Sequence, residues 1–153
     1  MTRLKVEIRS MRRGDESQVF FLGEETLKPL ATAAGHPERF DERRLLDLLG
    51  EAAVFVAEAG DELAGFVAVD RAPDVLSLRC LCVSPAHEAE AVAHQLLDWV
   101  EGMAFSERAT RLRALVPAAD QRSLHLYSAH GFESSPAGDG PEIVVLEKRL
   151  PEA

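Results

Sequence analysis

The sequence has little positive charge. Its 17 Lys and Arg residues face 26 Asp and Glu residues, which leaves a net charge of −9. A nucleic-acid-binding surface usually needs a basic stripe, so this balance argues against nucleic acid as a partner. The excess of carboxylates either serves solubility alone or favours cationic small molecules and basic proteins, because its field attracts them.

Long apolar runs are absent as well. No stretch approaches the roughly 20 apolar residues that span a membrane. Residues 1–14 contain charges but lack the apolar core of a signal peptide. We therefore expect a cytoplasmic protein with no membrane partner.

Cysteine is scarce, since the only two are Cys80 and Cys82 in one apolar segment. In an extended strand this spacing places both side chains on the same face, where a disulfide between them would have poor geometry. Two thiols without a further Cys or a matched His pair do not form a zinc site, so no metal is predicted. We expect both to be small buried hydrophobes in a reducing compartment.

A chain of 153 residues with 46% apolar and 28% charged residues has the composition of one globular domain, which we place at residues 1–153. Apolar runs and turn residues predict strands at 4–8, 53–57, 63–69, 75–83, 112–116 and 142–150, with room for a short one at 132–135. Early hairpins followed by a β-α-β crossing predict a mixed sheet with helices on its faces.

Capping residues, Pro and Gly mark the ends of four predicted helices. The predicted starts are Asp15, Asp41, Ser84 and Asp120. Pro29, Gly50 and Gly131 mark three of the ends, and the helix behind Ser84 is expected to run to about Phe105. At the first start, Gln18 three residues after Asp15 adds a capping-box pattern.

Three stretches resemble the GNAT superfamily of N-acetyltransferases, in the family's order and spacing. Residues 57–66 (AEAGDELAGF) resemble its second-to-third strand hairpin, and residues 78–85 (LRCLCVSP) resemble its central strand and the exit into the long helix. Residues 123–132 (SLHLYSAHGF) resemble the C-terminal motif in which Leu-Tyr precedes Gly-Phe. The resemblance implies an α/β (α+β mixed) fold, with a mostly antiparallel sheet of six to seven strands flanked by about four helices.

The resemblance also implies acetyl-CoA as cosubstrate, a small-molecule or peptide amine as acceptor, and a homodimer as a common assembly of relatives. In the family the acyl-CoA lies in a cleft where the central strand splays from its neighbour. The pantetheine amides there pair with main-chain groups, expected here at Leu81, Cys82 and Val83. Such pairing uses backbone donors and acceptors, so the same residues can also form core strand.

The family's diphosphate motif is altered in this sequence. Relatives usually have Arg or Gln, then Gly, a variable residue, Gly, another variable residue, and Gly or Ala. The matching positions here are Glu88, Ala89, Glu90, Ala91, Val92 and Ala93. A carboxylate about 6 Å from a phosphate charge costs on the order of 1–3 kcal/mol. The two glutamates therefore either weaken CoA binding or belong to an ordinary helix start, where negative charge is favourable.

Tyr127 is the best catalytic candidate, because the resemblance places it where the family's general acid stands. A phenol there can protonate the thiolate leaving group. The alternative is an amphipathic core residue at helical spacing. Asp120 matches a position where the family often has an Asn that contacts the cofactor, and it equally fits a helix N-cap.

The general base has no clear candidate. Many relatives carry a Glu about where this sequence has Ser77, which cannot accept a proton from an ammonium group. A base would have to come from Asp70, Asp74, Glu58 or a relayed water. His87 and His130 lie near the altered motif and the C-terminal motif, and we expect both to be exposed at the surface.

Three functions remain open at this stage. The resemblance favours an N-acetyltransferase that moves acetyl from acetyl-CoA to a primary amine. Glu88, Glu90 and Ser77 favour instead a non-catalytic binding or partner module with the same fold. The third is an enzyme that uses a less anionic donor in the same cleft.

Overall fold

The structure is a computed structural model that describes residues 6–35, 41–86, 89–135 and 143–151. Within these ranges seven strands and four helices follow one another in the predicted order. They are β1 (Glu7–Ser10), α1 (Glu16–Ala33), α2 (Glu42–Glu51), β2 (Ala53–Ala59), β3 (Glu62–Ala72), β4 (Val75–Val83), α3 (Ala89–Ser106), β5 (Arg111–Pro117), α4 (Gln121–Ala129), β6 (Glu133–Ser134) and β7 (Ile143–Arg149). None of the helices in the described part is long and apolar enough to cross a membrane.

The strands form one sheet in the order β1-β2-β3-β4-β5-β7-β6. Every neighbouring pair is antiparallel except β4 and β5, which run parallel. The predicted mixed, mostly antiparallel sheet is therefore confirmed. Each face of the sheet carries a separate apolar core, one packed against α3 and α4 and the other against α1 and α2.

The long helix α3 shows the stripe that its sequence predicts. Val92, Leu96 and Val100 are fully buried, and Leu97 and Ala104 beside them are equally inaccessible. Residues at these spacings share one side of a helix, so α3 contributes a continuous apolar surface to its face of the sheet.

A bulge in β4 changes which side chains face which core. Ala68 pairs with Cys80 and Val69 with Leu78, so Arg79 is an extra residue in β4. An extra residue reverses the alternation of a strand. Leu78 therefore packs on the α3 side, whereas Cys80 and Cys82 pack on the α1 side.

The two cysteines have the predicted arrangement. Both are buried free thiols on one face, with their Sγ atoms 3.2 Å apart. A disulfide needs about 2.05 Å, so they are small core residues, as expected from their spacing.

The start of α1 differs from the capping-box prediction. Asp15 is the N-cap residue, but its carboxylate makes no cap hydrogen bond to the helix. Arg9 instead donates to it from β1, and Gln18 accepts from the main-chain N–H of Leu63. Tertiary partners have replaced the local ones. The helix also continues past Pro29 to Ala33.

Two other helix boundaries were predicted wrongly. Gly50 lies inside α2, which ends at Glu51, so it is not the stop. Ser84 and Pro85 do not begin α3, which starts at Ala89. The Ser84 main-chain N–H donates to Ala64 of β3 at 2.7 Å, which keeps this segment attached to the sheet. The predicted first strand, at 4–8, is observed at Glu7–Ser10, and residues 4 and 5 lie outside the described ranges.

Candidate active site

The parallel strands β4 and β5 separate halfway along β4. Their pairing begins at Val75 with Arg111 and ends at Leu78 with Ala114. Both strands continue beyond this point, to Val83 and Pro117 respectively. Among the strands that the structure describes, none pairs with this edge of β4 over residues 79–83, so the main-chain donors and acceptors there are available to a ligand.

A cavity of about 830 Å³ lies against this unpaired end of β4. Its walls come from the C-terminal half of α1, from the end of β4, from α3 and from α4, and they include Glu25, Leu81, Val83, His94, Asp120 and Arg122. The volume falls within the roughly 300–1,000 Å³ of small-molecule sites. Separated strands and a cavity of this size are a suitable place for an extended ligand.

The three residues predicted to hold pantetheine lie at this wall. Leu81 and Val83 line the cavity and are partly buried. The Cys82 side chain points away, into the core on the α1 side, and is fully buried. The hydrogen-bonded Cys80 thiol and, after it, burial raise the pKa of Cys82, so the Cys82 thiol keeps its proton at neutral pH.

The residues predicted to hold the diphosphate are described only in part. Glu88 lies outside the described residues, and Ala89 and Glu90 are in the first turn of α3 without described side chains. Val92 is fully buried, so only its main chain could serve a ligand. Ala93 lines the cavity, and Ala91 precedes Val92 in the same helix.

Asp120 has the predicted helix N-cap role, and its contact with a cofactor stays a prediction. It is the N-cap of α4, where its carboxylate accepts from the N–H of Ser123 at 3.1 Å and from the Ser123 hydroxyl at 2.6 Å. It also lines the cavity. Capping therefore holds the carboxylate in a fixed position at the cavity wall.

Helix α4 places the Tyr127 side chain in the core. The side chain is 3% exposed and packs edge-on against Phe132, with ring centroids 5.1 Å apart. Its neighbour Leu126 lines the cavity, but Tyr127 is not among the lining residues. Burial, and to a lesser extent the nearby Cys80, raises the pKa of the phenol. Tyr127 is thus protonated at neutral pH, and its catalytic role stays a prediction.

A sequence comparison decides the family. The profile of the Acetyltransferase (GNAT) family matches residues 20–132, which is more than half of the chain. This chain belongs to the GNAT acetyltransferase family. The match contains β4, the cavity-lining part of α3 and all of α4.

Solved structures show the same GNAT fold. PaiA N-acetyltransferase from Thermoplasma acidophilum in complex with coenzyme A has a TM-score of 0.78 at 17% identity, over 95% of this chain and 99% of that one. The ribosomal-protein-S18-alanine N-acetyltransferase from Escherichia coli has a TM-score of 0.76 at 17% identity, over 97% of this chain and 96% of that one. A GNAT family acetyltransferase from Elizabethkingia anophelis with acetyl-CoA bound has a TM-score of 0.70 at 14% identity, over 95% of this chain and 98% of that one. No curated protein sequence matches the chain.

The three carboxylates that the sequence offered as a general base in this GNAT protein lie away from the cavity. Glu58 pairs with Arg9 at 3.0 Å, and Asp70 pairs with Arg79 at the β4 bulge. Asp74 occupies the turn between β3 and β4 with a φ of 68°. These three described residues do not line the cavity, so the site's geometry does not support any of them as a base.

The sequence analysis did not predict a pair of histidines in contact at the cavity wall. His94 of α3 lines the cavity, and its Nδ1 lies 2.7 Å from Nε2 of His130. The His130 side chain is only 14% exposed, so the expectation of a surface histidine was wrong; His87 lies outside the described residues. The detectable signal was the spacing of His94, Asp98 and Glu101, which puts the three on one side of a helix.

Proposed function

We propose that this GNAT protein transfers an acetyl group from acetyl-CoA to a primary amine. The separation of β4 from β5 beside an 830 Å³ cavity carries this proposal. It leaves unpaired main-chain groups at residues 79–83, which can pair with the pantetheine amides. The relatives solved with coenzyme A or acetyl-CoA support the same class of ligand.

The chain's own residues would orient the donor and supply a proton. Acetyl-CoA brings the thioester whose carbonyl carbon the neutral amine would attack; the C–N bond would form as the C–S bond breaks, and the proton lost by the nitrogen would pass to water. Leu81 and Val83 would hold the donor along β4. Tyr127 does not line the cavity, so it would donate its proton to the departing sulfur only if ligand binding gives the phenol access to the cavity. Burial raises the pKa of Tyr127, which keeps the phenol protonated but also makes it a weaker proton donor. Glu25 at the α1 wall would attract a cationic acceptor amine.

A non-catalytic binding module with the same fold is the competing function. The observation in its favour is Glu88 where relatives usually carry Arg or Gln, together with Glu90 at a variable position of the same motif. Carboxylates there repel a diphosphate. In that case the cavity would take a different ligand or partner and no acetyl transfer would occur.

Calorimetric titration with CoA and acetyl-CoA separates the two functions. The enzyme is expected to bind both at micromolar concentration and to release CoA thiol when an amine panel is added. Absence of heat at millimolar ligand, together with absence of thiol release, would establish the binding module. Binding without thiol release from any amine would point to the module with a retained CoA site.

A triple substitution tests the placement of the diphosphate. Glu88→Arg with Ala89→Gly and Ala91→Gly removes one repulsive charge, adds an attractive one and lets the main chain approach the phosphates. We expect CoA to bind roughly tenfold or more tightly, on the order of the 1–3 kcal/mol estimated for such a charge. Pantetheine, which lacks phosphates, is the control ligand and should bind unchanged. An unaltered affinity for CoA would show that the diphosphate lies elsewhere.

A further inference from the structure

Three side chains that can bind a metal ion meet outside the cavity, where α3 contacts the end of α4. Asp98 and Glu101 are three positions apart on α3, and His130 is the C-cap residue of α4. One ligand atom from each of the three lies within 4.8 Å of the other two. Nδ1 of His130 lies 3.5 Å from Glu101 Oε1 and 3.9 Å from Asp98 Oδ1. Zinc bonds of about 2.0–2.2 Å place neighbouring ligands of a tetrahedral site about 3.4 Å apart, so small side-chain movements would bring all three onto one ion.

The imidazole of His130 is held in place by a neighbour on its other side. Its side chain is only 14% exposed, and its ring stacks on that of His94 with the centroids 4.9 Å apart. Its Nε2 lies 2.7 Å from Nδ1 of His94. Histidines that bind metals usually have such a partner on the second ring nitrogen, which fixes the orientation of the first. His130 therefore presents Nδ1 to the two carboxylates in a set orientation.

One of the two carboxylates is already paired with a cation. The ammonium group of Lys148 in β7 lies 3.1 Å from Glu101 Oε1, the same oxygen that faces His130. The side chain of Asp98, by contrast, is 70% exposed, which gives an ion and its water ligands access from solvent. Lys148 and a metal ion would compete for one oxygen, so the lysine limits how tightly the ion can bind.

The donor atoms determine which ion fits this cluster. One imidazole and two carboxylates suit zinc, whereas magnesium and calcium are held by oxygen ligands. Three protein ligands leave the fourth tetrahedral position to water, as in other open zinc sites. The prediction of no metal was drawn from Cys80 and Cys82, which are not part of this cluster.

We propose that Asp98, Glu101 and His130 bind a zinc ion that joins the end of α4 to α3. The site does not depend on the proposed transferase function, because none of its three ligands lines the cavity. An ion bound by two elements of the fold stabilises the folded state, since the unfolded chain does not hold the ligands together. Zinc should therefore raise the urea concentration at which the protein unfolds.

Calorimetric titration of the full chain, prepared without a histidine tag, with zinc chloride tests the site. One zinc ion should bind per chain at micromolar concentration. Magnesium at millimolar concentration should neither bind there nor displace the zinc, because it prefers an all-oxygen site. Cobalt(II) serves as the spectroscopic probe of the same site, and its absorption should lack the charge-transfer band of a bound thiolate.

Four variants assign the ion to this cluster. Asp98→Asn alters an exposed side chain and should fold normally; it should weaken zinc binding by at least about 10-fold, since loss of a partner outside the ligand set already costs that much. Asp47→Asn makes the same change on an exposed carboxylate of α2, and His125→Gln removes an imidazole outside the cluster. Both should bind zinc as the unaltered protein does. Lys148→Met removes the competing ammonium group and should tighten zinc binding.

The outcomes are independent of acetyl transfer, so the transferase proposal stands whichever is observed. Absence of zinc binding at millimolar concentration overturns the site. Equal binding of magnesium, or equal weakening in Asp98→Asn and Asp47→Asn, also overturns it, because the acidic surface would then attract any divalent cation. An unchanged affinity in Lys148→Met would place the ion away from Glu101, and a thiolate band with cobalt would place it at the cysteines. Either result overturns the proposal.

Discussion

At the scale of single residues, Tyr127 takes its chemical properties from its burial. It is the one tyrosine of the sequence and is held edge-on to Phe132. Loss of hydration raises the pKa of its phenol, and the nearby Cys80 thiol adds to the shift. The phenol therefore keeps its proton throughout the pH range of ordinary assays. A general acid must carry its proton, but it works best with a pKa near the operating pH, so this burial also opposes catalysis by the phenol.

Tyr127→Phe should lower kcat by roughly 10²- to 10⁴-fold, the usual contribution of a general acid. The ring stays in place against Phe132, so the dissociation constant of CoA should change by less than about threefold. Steady-state kinetics and calorimetry with acetyl-CoA measure the two effects. Since the pKa of Tyr127 lies above its ordinary value of 10.0, loss of this proton should cause no fall in rate between pH 7 and 9.

Phe132→Leu is the matched control for this prediction. It disturbs the same ring contact but leaves the phenolic proton in place, so it should reduce stability with a far smaller effect on kcat. If both variants lost the same activity, Tyr127 would be acting through packing alone.

At the scale of elements, β4 shows how one strand can serve the core and the cavity together. Its bulge at Arg79 turns Cys80 and Cys82 towards α1 and leaves Leu81 and Val83 on the cavity side. On the other edge, β3 holds the end of β4 through the pairing of Gly65 with Val83. The position of the unpaired main chain therefore depends on close packing between β3 and β4.

Gly65→Ala should shift that end of β4. A Cβ atom at Gly65 would lie 2.8 Å from the carbonyl oxygen of Cys82 and 3.0 Å from Val83 Cγ1. Backbone cannot yield as a flexible side chain can, so we expect a loss of about 1–3 kcal/mol in the free energy of unfolding. CoA should also bind more weakly, because the main chain at residues 81–83 moves. Urea denaturation and calorimetry measure these effects.

Gly102→Ala provides the control in the same protein. A Cβ there meets nothing within 4 Å, and the residue lies inside α3. This variant should gain roughly 0.5–1 kcal/mol from helix propensity and leave CoA binding unchanged. Wild-type affinity in Gly65→Ala would argue that the ligand does not contact this part of β4.

At the scale of the whole molecule, one arginine joins three parts of the fold. Arg9 of β1 contacts Asp15 at the start of α1 at 2.7 Å and Glu58 of β2 at 3.0 Å. The Asp15 carboxylate also accepts from the N–H of Arg12 at 2.9 Å. The Arg9 hydrogen bond lowers the pKa of Asp15 against the opposing effect of burial. The ionised carboxylate thus stabilises the folded state.

Asp15→Asn should reduce the free energy of unfolding by about 1.5–3 kcal/mol at pH 7, the usual value of a hydrogen bond to a charged group. The sign of the pH dependence follows from the lowered pKa of Asp15. Its contribution is complete above the unfolded pKa of about 3.9 and is lost as the pH falls through the lower folded value. Chemical denaturation at several pH values should therefore show the two proteins converging below about pH 4.

Asp70→Asn is the comparison variant for this measurement. It also breaks an Asp–Arg pair, but the side chains of Asp70 and Arg79 are 38% and 42% exposed. Exposed pairs contribute about 0–1 kcal/mol, so the loss should be small. Equal losses in the two variants would show that Asp15 does not have a special structural role.

Much of the fold could be predicted because its signals are local. The α3 stripe, the bounds of β4, the common face of Cys80 and Cys82 and the Asp120 cap all follow from residues close in sequence. Local reasoning failed at Asp15, where the carboxylate binds Arg9 instead of its own helix. It failed at His130 as well, because burial there comes from its contact with α3.

The amino-acid sequence by itself determined the order of strands and helices, the family motifs and the changes at Glu88 and Glu90, because these depend on neighbouring residues. Only the tertiary structure decided where β4 leaves β5, what lines the cavity and which residues pair across it. His94 and His130 lie 36 positions apart and meet only when α3 and the end of α4 pack together. Contacts of that kind have no periodicity in the sequence, since they arise from the packing of whole elements.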